Sequence, residues 1–481
     1  MLAGTLLKAS DTTTSLKSPL FRFPLRQKFI MSSVKQLAVR GAVWTIASYG
    51  LSQVLRLGSN LILTRLLVPE MFGLIGLVYV FITALHLFSD LGIGTSLIQN
   101  KRGEEPDFLN TAWTLQVYRG VILWFCTLLM AWPISQLYQQ PQFLWLIPVV
   151  GLGTVITGFN STSIFTINRN MDFRKLAIYE LSGQLIGIVV MIAWAWFSPT
   201  IWAILIGSFA SQILQLTLSH YWNSGSPHRF ILNQEVVKEI MSFGKWIFVS
   251  TALTFFAEQA DRLILGKILT LDVLGIYGVA LTLADIPRSV TLALSGKVMF
   301  PAITKFVEQP REILRAKILK NRQPILIAFA AGLALLVSFG DFAIKILYDD
   351  RYIQAAWMLP ILALGIWPRV LCNTGIESAL FAIGKIQYPA FGQFLRFLWT
   401  SIGLWVGFST AGLPGAIVAV ALNDLGFYAA ISYGLCREGL NSLVQDLQAT
   451  ILLSVLLAAV LAARYFLGFG LPIDLLLQKY S

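Results

Sequence analysis

The sequence predicts an all-α polytopic membrane protein: two parallel-related six-helix bundles plus one or two extra C-terminal helices, 12–14 transmembrane helices in all. Three observations predict it. Of 481 residues, 56% are hydrophobic and only 12% charged, with a mean hydropathy of +0.71, where an ordinary globular domain carries about a quarter charged residues. Apolar runs of about 20 residues, long enough to cross a hydrocarbon core roughly 30 Å thick, recur along the chain. The chain also matches itself at a displacement of 202 residues.

Taken in order, apolar windows place helices at 42–64, 71–98, 111–133, 143–166, 176–197, 200–219, 243–265, 273–295, 325–347, 356–382, 388–408, 413–435 and 449–467, thirteen in all. Residues 1–40 read as a basic arm; its first 30 residues lack the apolar core of a signal peptide, and Met31 offers an alternative start. The closing "FGLPIDLLLQKYS" is short for a fourteenth span and reads as a half-helix or an interfacial segment.

Lys and Arg collect in alternate connections. Sixteen lie on one side, against only Arg65, Lys267, Lys345 and Arg351 on the other, which puts the richer side and the N-terminal arm in the cytoplasm. The longest connection, 296–324, spaces Ile313, Leu314, Ile318 and Leu319 among basic residues and reads either as an amphipathic surface helix or as a solvated loop. The formal charge of +12 is explained by these loops and calls for no nucleic acid. Cys126, Cys372 and Cys436 are too scattered for a disulfide frame, and His86, His220 and His228 form no metal-binding spacing. No cofactor is expected.

In the repeat, Trp44 falls on Trp246, Arg65 on Lys267, Glu70 on Asp272, Gly73 on Gly275 and Gly76 on Gly278. Six spans separate the copies, so both halves enter the membrane in the same sense. Parallel repeats of this kind are a transporter design with substrate between the halves. The expected units are a lobe at 41–222, a second at 243–437 and an appended helix and tail at 438–481.

Ionisable residues inside spans are expensive and face a bundle interior, a partner or an aqueous path. Gln53, Arg56 and Asn60 share one face of the first span, and Thr251, Thr254, Glu258, Asp261 and Arg262 repeat that stripe on the seventh. Gln116 and Arg119, Asp285 and Arg288, Gln393 and Arg396, and Asn423 and Asp424 follow. Arg369, Asn373 and Glu377 are spaced i, i+4, i+8, and Asp90 ends an apolar run begun at Met71. The candidate cavity residues are therefore Arg56, Arg119, Arg262, Arg288, Arg369, Arg396, Gln53, Asn60 and Asn373. Asp90, Glu258, Asp261, Asp285, Glu377 and Asp424 are expected to pair with the arginines. Guanidinium binds phosphate bidentately and stays charged at low dielectric, so such a cavity suits an anionic headgroup such as pyrophosphate.

The stretches "LAVRGAVWTIASYGLSQVLRLGSNLILTRLLVPEMFGLIGLVYVF", "FSDLGIGTSLIQ" and "RNMDFRKLAIYE", in that order, resemble the polysaccharide transporter (oligosaccharide flippase) family, most strongly over 38–185. The resemblance implies a bacterial inner-membrane protein with two six-helix lobes that alternate access. It further implies turnover of an undecaprenyl-pyrophosphate-linked oligosaccharide from the cytoplasmic to the periplasmic leaflet, beside a polysaccharide polymerase and chain-length machinery. Two other readings are a cation-coupled multidrug extruder of the same superfamily, which needs fewer cavity arginines, and a membrane glycosyltransferase or polymerase. The latter typically needs a long extracytoplasmic loop or catalytic domain, and the chain has only short connections there.

Overall fold

The structure is a computed structural model that describes residues 25–90, 92–222, 227–474 and 476. The first 24 residues of the basic arm and most of the last residues of the tail therefore lie outside the described residues; residues 25–40 open the first helix. Every element is helical. The first half holds α1 (Leu25–Leu66), α2 (Pro69–Phe88), α3 (Ile93–Gln99), α4 (Pro106–Tyr138), α5 (Phe143–Gly158), α6 (Ser163–Arg169), α7 (Phe173–Phe197) and α8 (Trp202–Tyr221). The second holds α9 (Gln234–Ile268), α10 (Leu271–Ala284), α11 (Ile286–Leu294), α12 (Phe300–Thr304), α13 (Arg311–Leu347), α14 (Ala355–Gly365), α15 (Trp367–Leu371), α16 (Glu377–Ala382), α17 (Gln387–Ala421) and α18 (Asp424–Arg437), followed by α19 (Leu443–Phe466). We take α1–α8 and α9–α18 as the two lobes, a division proposed from the repeat.

Among the described residues, eight helices are long and apolar enough to cross a membrane, or ten if each of two bent pairs is one span. Two further long helices, α1 and α9, stand outside that set. The run Gln387–Arg437 counts as one although its backbone reverses at Ala411 and Gly412, where Gly412 has φ 61°. Its two arms lie antiparallel: a Cβ on Gly407 would meet the Gly415 carbonyl, one on Gly392 the Phe427 ring, and one on Gly434 the Tyr388 ring. The sequence expectation of separate spans at 388–408 and 413–435 matches this hairpin.

Five spans expected to be continuous are broken. The α2–α3 span bends between Ser89 and Gly92, and α5–α6 by 62°. The α10–α11 span bends by 43°, the run from α14 to α16 kinks at Thr374 and Gly375 (φ 114°), and the chain departs from helix at Leu422–Asn423 before α18. Each break frees backbone groups that lipid cannot satisfy. The connection 296–324 is also not a separate surface helix: residues 311–322 are the first turns of the 37-residue α13. Leu314 and Ile318 are buried there against Met299, Ile303, Ile376 and Leu435, which removes the reason for that stretch to lie on the membrane.

The appended α19 packs along α13 in the same direction. Arg322 pairs with Asp446 at 2.5 Å, and Arg464 pairs with Asp341 through two bonds of 2.6 and 2.7 Å. The two clips are 19 residues apart on α13, about 28 Å at 1.5 Å per residue, so they grip both ends of the helix pair. After α19 the chain turns through Gly468 and Gly470, whose carbonyl accepts from Arg464, and no fourteenth span forms among the described residues. Replacing Arg464 by Leu leaves the buried Asp341 carboxylate with only Lys345, 3.9 Å away, and should cost about 3 kcal/mol. The double replacement Asp341→Leu/Arg464→Leu should recover most of that, read as the midpoint of thermal unfolding in detergent. No recovery would mean that the pair is not coupled.

Candidate functional site

A cavity of about 480 Å³ lies between α1 and the α9–α11, α14, α17 and α18 cluster. It brings together Arg56 and Asn60 from the first lobe with Glu258, Asp261, Arg262, Asp285, Arg288, Arg396 and Asp424 from the second. The helix breaks place these groups. Asp285 occupies the residue before α11 and Asp424 opens α18, so each carboxylate meets the positive end of a helix dipole.

Most of this charge is compensated. Arg288 pairs with Glu258 at 2.7 Å and with Asp285 at 3.4 Å. Asp424 lies 3.1 Å from Arg396 and 3.4 Å from Arg369, and the Arg369 guanidinium covers the Phe427 ring at 3.8 Å. Asp261 accepts the Tyr277 hydroxyl rather than an arginine. Among the described residues neither Arg56 nor Arg262 has a carboxylate within 4 Å, so these two guanidinium groups remain to meet an anion in the cavity. The buried Arg396 Nη1 also has no hydrogen-bond partner.

The other candidates are placed elsewhere. Gln53 donates to Tyr49 Oη on its own helix at 2.8 Å. Asn373 is buried and reaches Thr291 Oγ1 at 3.4 Å. The even stripe expected for Arg369, Asn373 and Glu377 is interrupted by the turn at Gly375, and Glu377 has no ion pair within 4 Å among the described residues. Arg119 and Asp90 face a second cavity of about 430 Å³ inside the first lobe, lined also by His86, Gln116, Asn160 and Tyr179.

The work of Arg119 there is to cap a broken helix. Its Nε donates to Ser89 Oγ at 2.9 Å and its Nη2 to the His86 carbonyl at 2.7 Å, at the end of α2. One turn earlier Gln116 Nε2 reaches the carbonyls of Thr157, Gly158 and Asn160 at the end of α5. Asp90, expected to pair with a neighbouring arginine, instead accepts the Gly92 amide at 2.9 Å and forms no ion pair within 4 Å among the described residues. The α2–α3 break supplies a nearer donor than α4 does. Sequence reasoning missed Tyr277, Asp341, Asp446 and Arg464, although the rule that singled out Asp90 applies equally to a carboxylate inside α13.

A helical membrane protein with two repeat-related halves, broken spans and a charged cavity between them is a membrane transporter. The chain belongs to the family described as polysaccharide biosynthesis protein, whose profile matches residues 62–357. It is 24% identical over 399 residues to the lipopolysaccharide biosynthesis protein WzxC of Escherichia coli, covering 82% of this chain and 80% of that one. It is 22% identical to the succinoglycan biosynthesis transport protein ExoT of Rhizobium meliloti, covering 70% and 68%. The teichuronic acid biosynthesis protein TuaB of Bacillus subtilis is 24% identical, covering 69% and 68%. In fold it is similar to the lipid II flippase MurJ (TM-score 0.66, 13% identity, covering 86% of this chain and 92% of that one) and to an inward-facing multidrug resistance transporter of the MOP superfamily (TM-score 0.64, 14% identity, covering 80% and 94%).

If Gln116 and Arg119 are caps, Gln116→Leu and Arg119→Leu should each lose about 1–3 kcal/mol, the cost of leaving buried carbonyls unmet. Arg56→Ala, at an exposed position without an ion pair, should leave the unfolding midpoint in detergent unchanged.

Proposed function

We propose that the protein flips an undecaprenyl-pyrophosphate-linked oligosaccharide across the bacterial inner membrane for surface polysaccharide assembly, by alternating access between the two lobes. The observation that carries the reading is the pair of unengaged guanidinium groups, Arg56 and Arg262, contributed by the equivalent first helix of each lobe to one cavity. A doubly charged diphosphate bridging them would engage both lobes at once, which couples cargo to their relative motion. The ion-paired Arg288, Arg369 and Arg396 hold the cavity wall and supply a positive field behind that site. Relatives named for lipopolysaccharide, succinoglycan and teichuronic acid biosynthesis support a glycan cargo. The basic connections face the cytoplasm in this reading, as does the N-terminus, and a polymerase with its chain-length machinery takes the product on the other side.

Loss of one charge-assisted contact weakens anion binding by roughly 10–100-fold. Arg56→Ala and Arg262→Ala should therefore abolish surface polysaccharide in a strain lacking the chromosomal gene, with the protein still present in the membrane. Arg56→Lys and Arg262→Lys should retain part of the export, and drug susceptibility should not change. Wild-type export from the Arg56→Ala/Arg262→Ala double variant would overturn the assignment.

A further inference from the structure

Arg65, Lys267, Lys345 and Arg351, at the otherwise basic-poor end of the bundle, need an explanation beyond the clip that holds Arg464 there on Asp341, because lysine and arginine are sparse at that end. Three of them cross from one lobe to the other. Arg65, in the last turn of α1, donates from Nη2 to the Leu347 carbonyl at the end of α13, at 3.3 Å. Lys267, its repeat equivalent in the last turn of α9, donates to the Leu137 carbonyl at the end of α4. Arg351, just after α13, returns the contact: its Nη2 reaches the Thr64 and Arg65 carbonyls at 3.1 and 3.0 Å. The fourth, Lys345, stays within its own helix beside Asp341.

The tyrosines beside the two accepting carbonyls follow the same symmetry. Tyr348 Oη donates to Asn60 Oδ1 on α1 at 2.8 Å, and Tyr138 Oη donates to the Leu263 carbonyl on α9 at 3.1 Å. A Leu-Tyr pair thus ends the third span of each lobe, Leu137-Tyr138 and Leu347-Tyr348, and each pair meets the end of the first span of the other lobe. Between the two sets, α2 touches α10 backbone to backbone: a Cβ on Gly73 would overlap the Leu271 carbonyl and one on Gly275 the Pro69 carbonyl. These four positions are also related by the displacement of 202. Below that contact lies a space of about 160 Å³ lined by Asn60, Gly76, Arg262, Gly278 and Thr282, and Asn60, Arg262 and Thr282 also line the central cavity. The symmetric contact therefore closes one end of the cavity.

We propose that this end is shut by a two-fold latch. In it Arg65 and Lys267 each cap the C-terminus of the third span in the opposite lobe, Arg351 caps α1, and the latch releases when the cavity opens on this side. Cations on helix C-termini are favourable but individually modest and screened by salt. Several of them in parallel hold the lobes together without making the closed state permanent. The glycines set the distance, since any side chain there would hold the lobes apart. On the basic side the lobes also meet: Tyr49 Oη donates to the Ser289 carbonyl at 3.0 Å and Asn100 Nδ2 to Glu239 Oε1 at 2.6 Å, with Arg102 3.8 Å from Glu239 and Lys297 over the Tyr49 ring.

The latch rests on the transport reading for its purpose, and its closure can be tested without cargo. Cysteine at Gly278, where an added Cβ meets nothing within 4 Å, serves as reporter in a chain whose Cys126, Cys372 and Cys436 are alanine. Labelling by a membrane-impermeant maleimide is measured in spheroplasts and in inverted vesicles. Arg65→Gln and Lys267→Gln should each speed labelling from the spheroplast side several-fold, with the double variant fastest. Arg65→Lys and Lys267→Arg should stay slow, which separates a latch from misfolding. Equal labelling in the Gln variants and the parent would overturn the latch. Acceleration seen only in inverted vesicles would overturn the proposed orientation. Surface polysaccharide assayed in the same strains tests the transport reading separately, because the labelling result does not depend on it.

Discussion

The constraint on which the rest of the structure depends is that no backbone or polar group inside the membrane can be left to lipid. Five spans of this chain are broken, and at each break a polar side chain stands where the backbone has been freed. Arg119 and Gln116 close the ends of α2 and α5. Asp90 takes the Gly92 amide, and Arg322 reaches the Leu371 carbonyl and Thr374 Oγ1 beside the kink at Gly375. Asp285 and Asp424 stand at the starts of α11 and α18. The polar residues therefore do two things at once: they make irregular backbone tolerable in lipid, and they put charge on the cavity wall.

That double use explains why a cavity rich in arginine is not simply a cationic hole. Arg288, Arg369 and Arg396 share Glu258, Asp285 and Asp424, so these six charges partner one another and the wall persists without cargo. Arg56 and Arg262 differ in standing on the unbroken helices α1 and α9, where no freed backbone and no carboxylate claims them. A transporter must bind its cargo and then release it, and a site with two free cations against a compensated background can do both.

Much of the fold was legible from hydropathy alone, because a spanning helix needs about 20 apolar residues whatever its neighbours are. The hairpin at Ala411–Gly412 and the thirteenth helix follow from run lengths and glycines. The breaks were not legible. The segments carrying Asp90, Asp285 and Glu377 look continuous in hydropathy, since one or two polar residues barely change a window average. Of the candidate site, the stripe on α1 and its counterpart on α9 were readable at helical spacing. The cap role of Arg119 was not, because its acceptors are carbonyls on other helices, which every sequence contains.

The sequence by itself determined that this is a two-lobed helical membrane protein with charged residues inside it. It determined this through the 202-residue repeat and the free energy of placing apolar and ionisable groups in hydrocarbon. It also set Arg65, Lys267, Lys345 and Arg351 apart on the basic-poor side. Only the tertiary structure decided which arginines are spent on partners and which stay free, and that three of those four cations bind helix ends of the opposite lobe. The physical reason is one of range. Hydropathy is a local property summed along the chain, whereas a hydrogen bond at 3.3 Å between residues 65 and 347 exists only after the helices from α1 to α13 have packed.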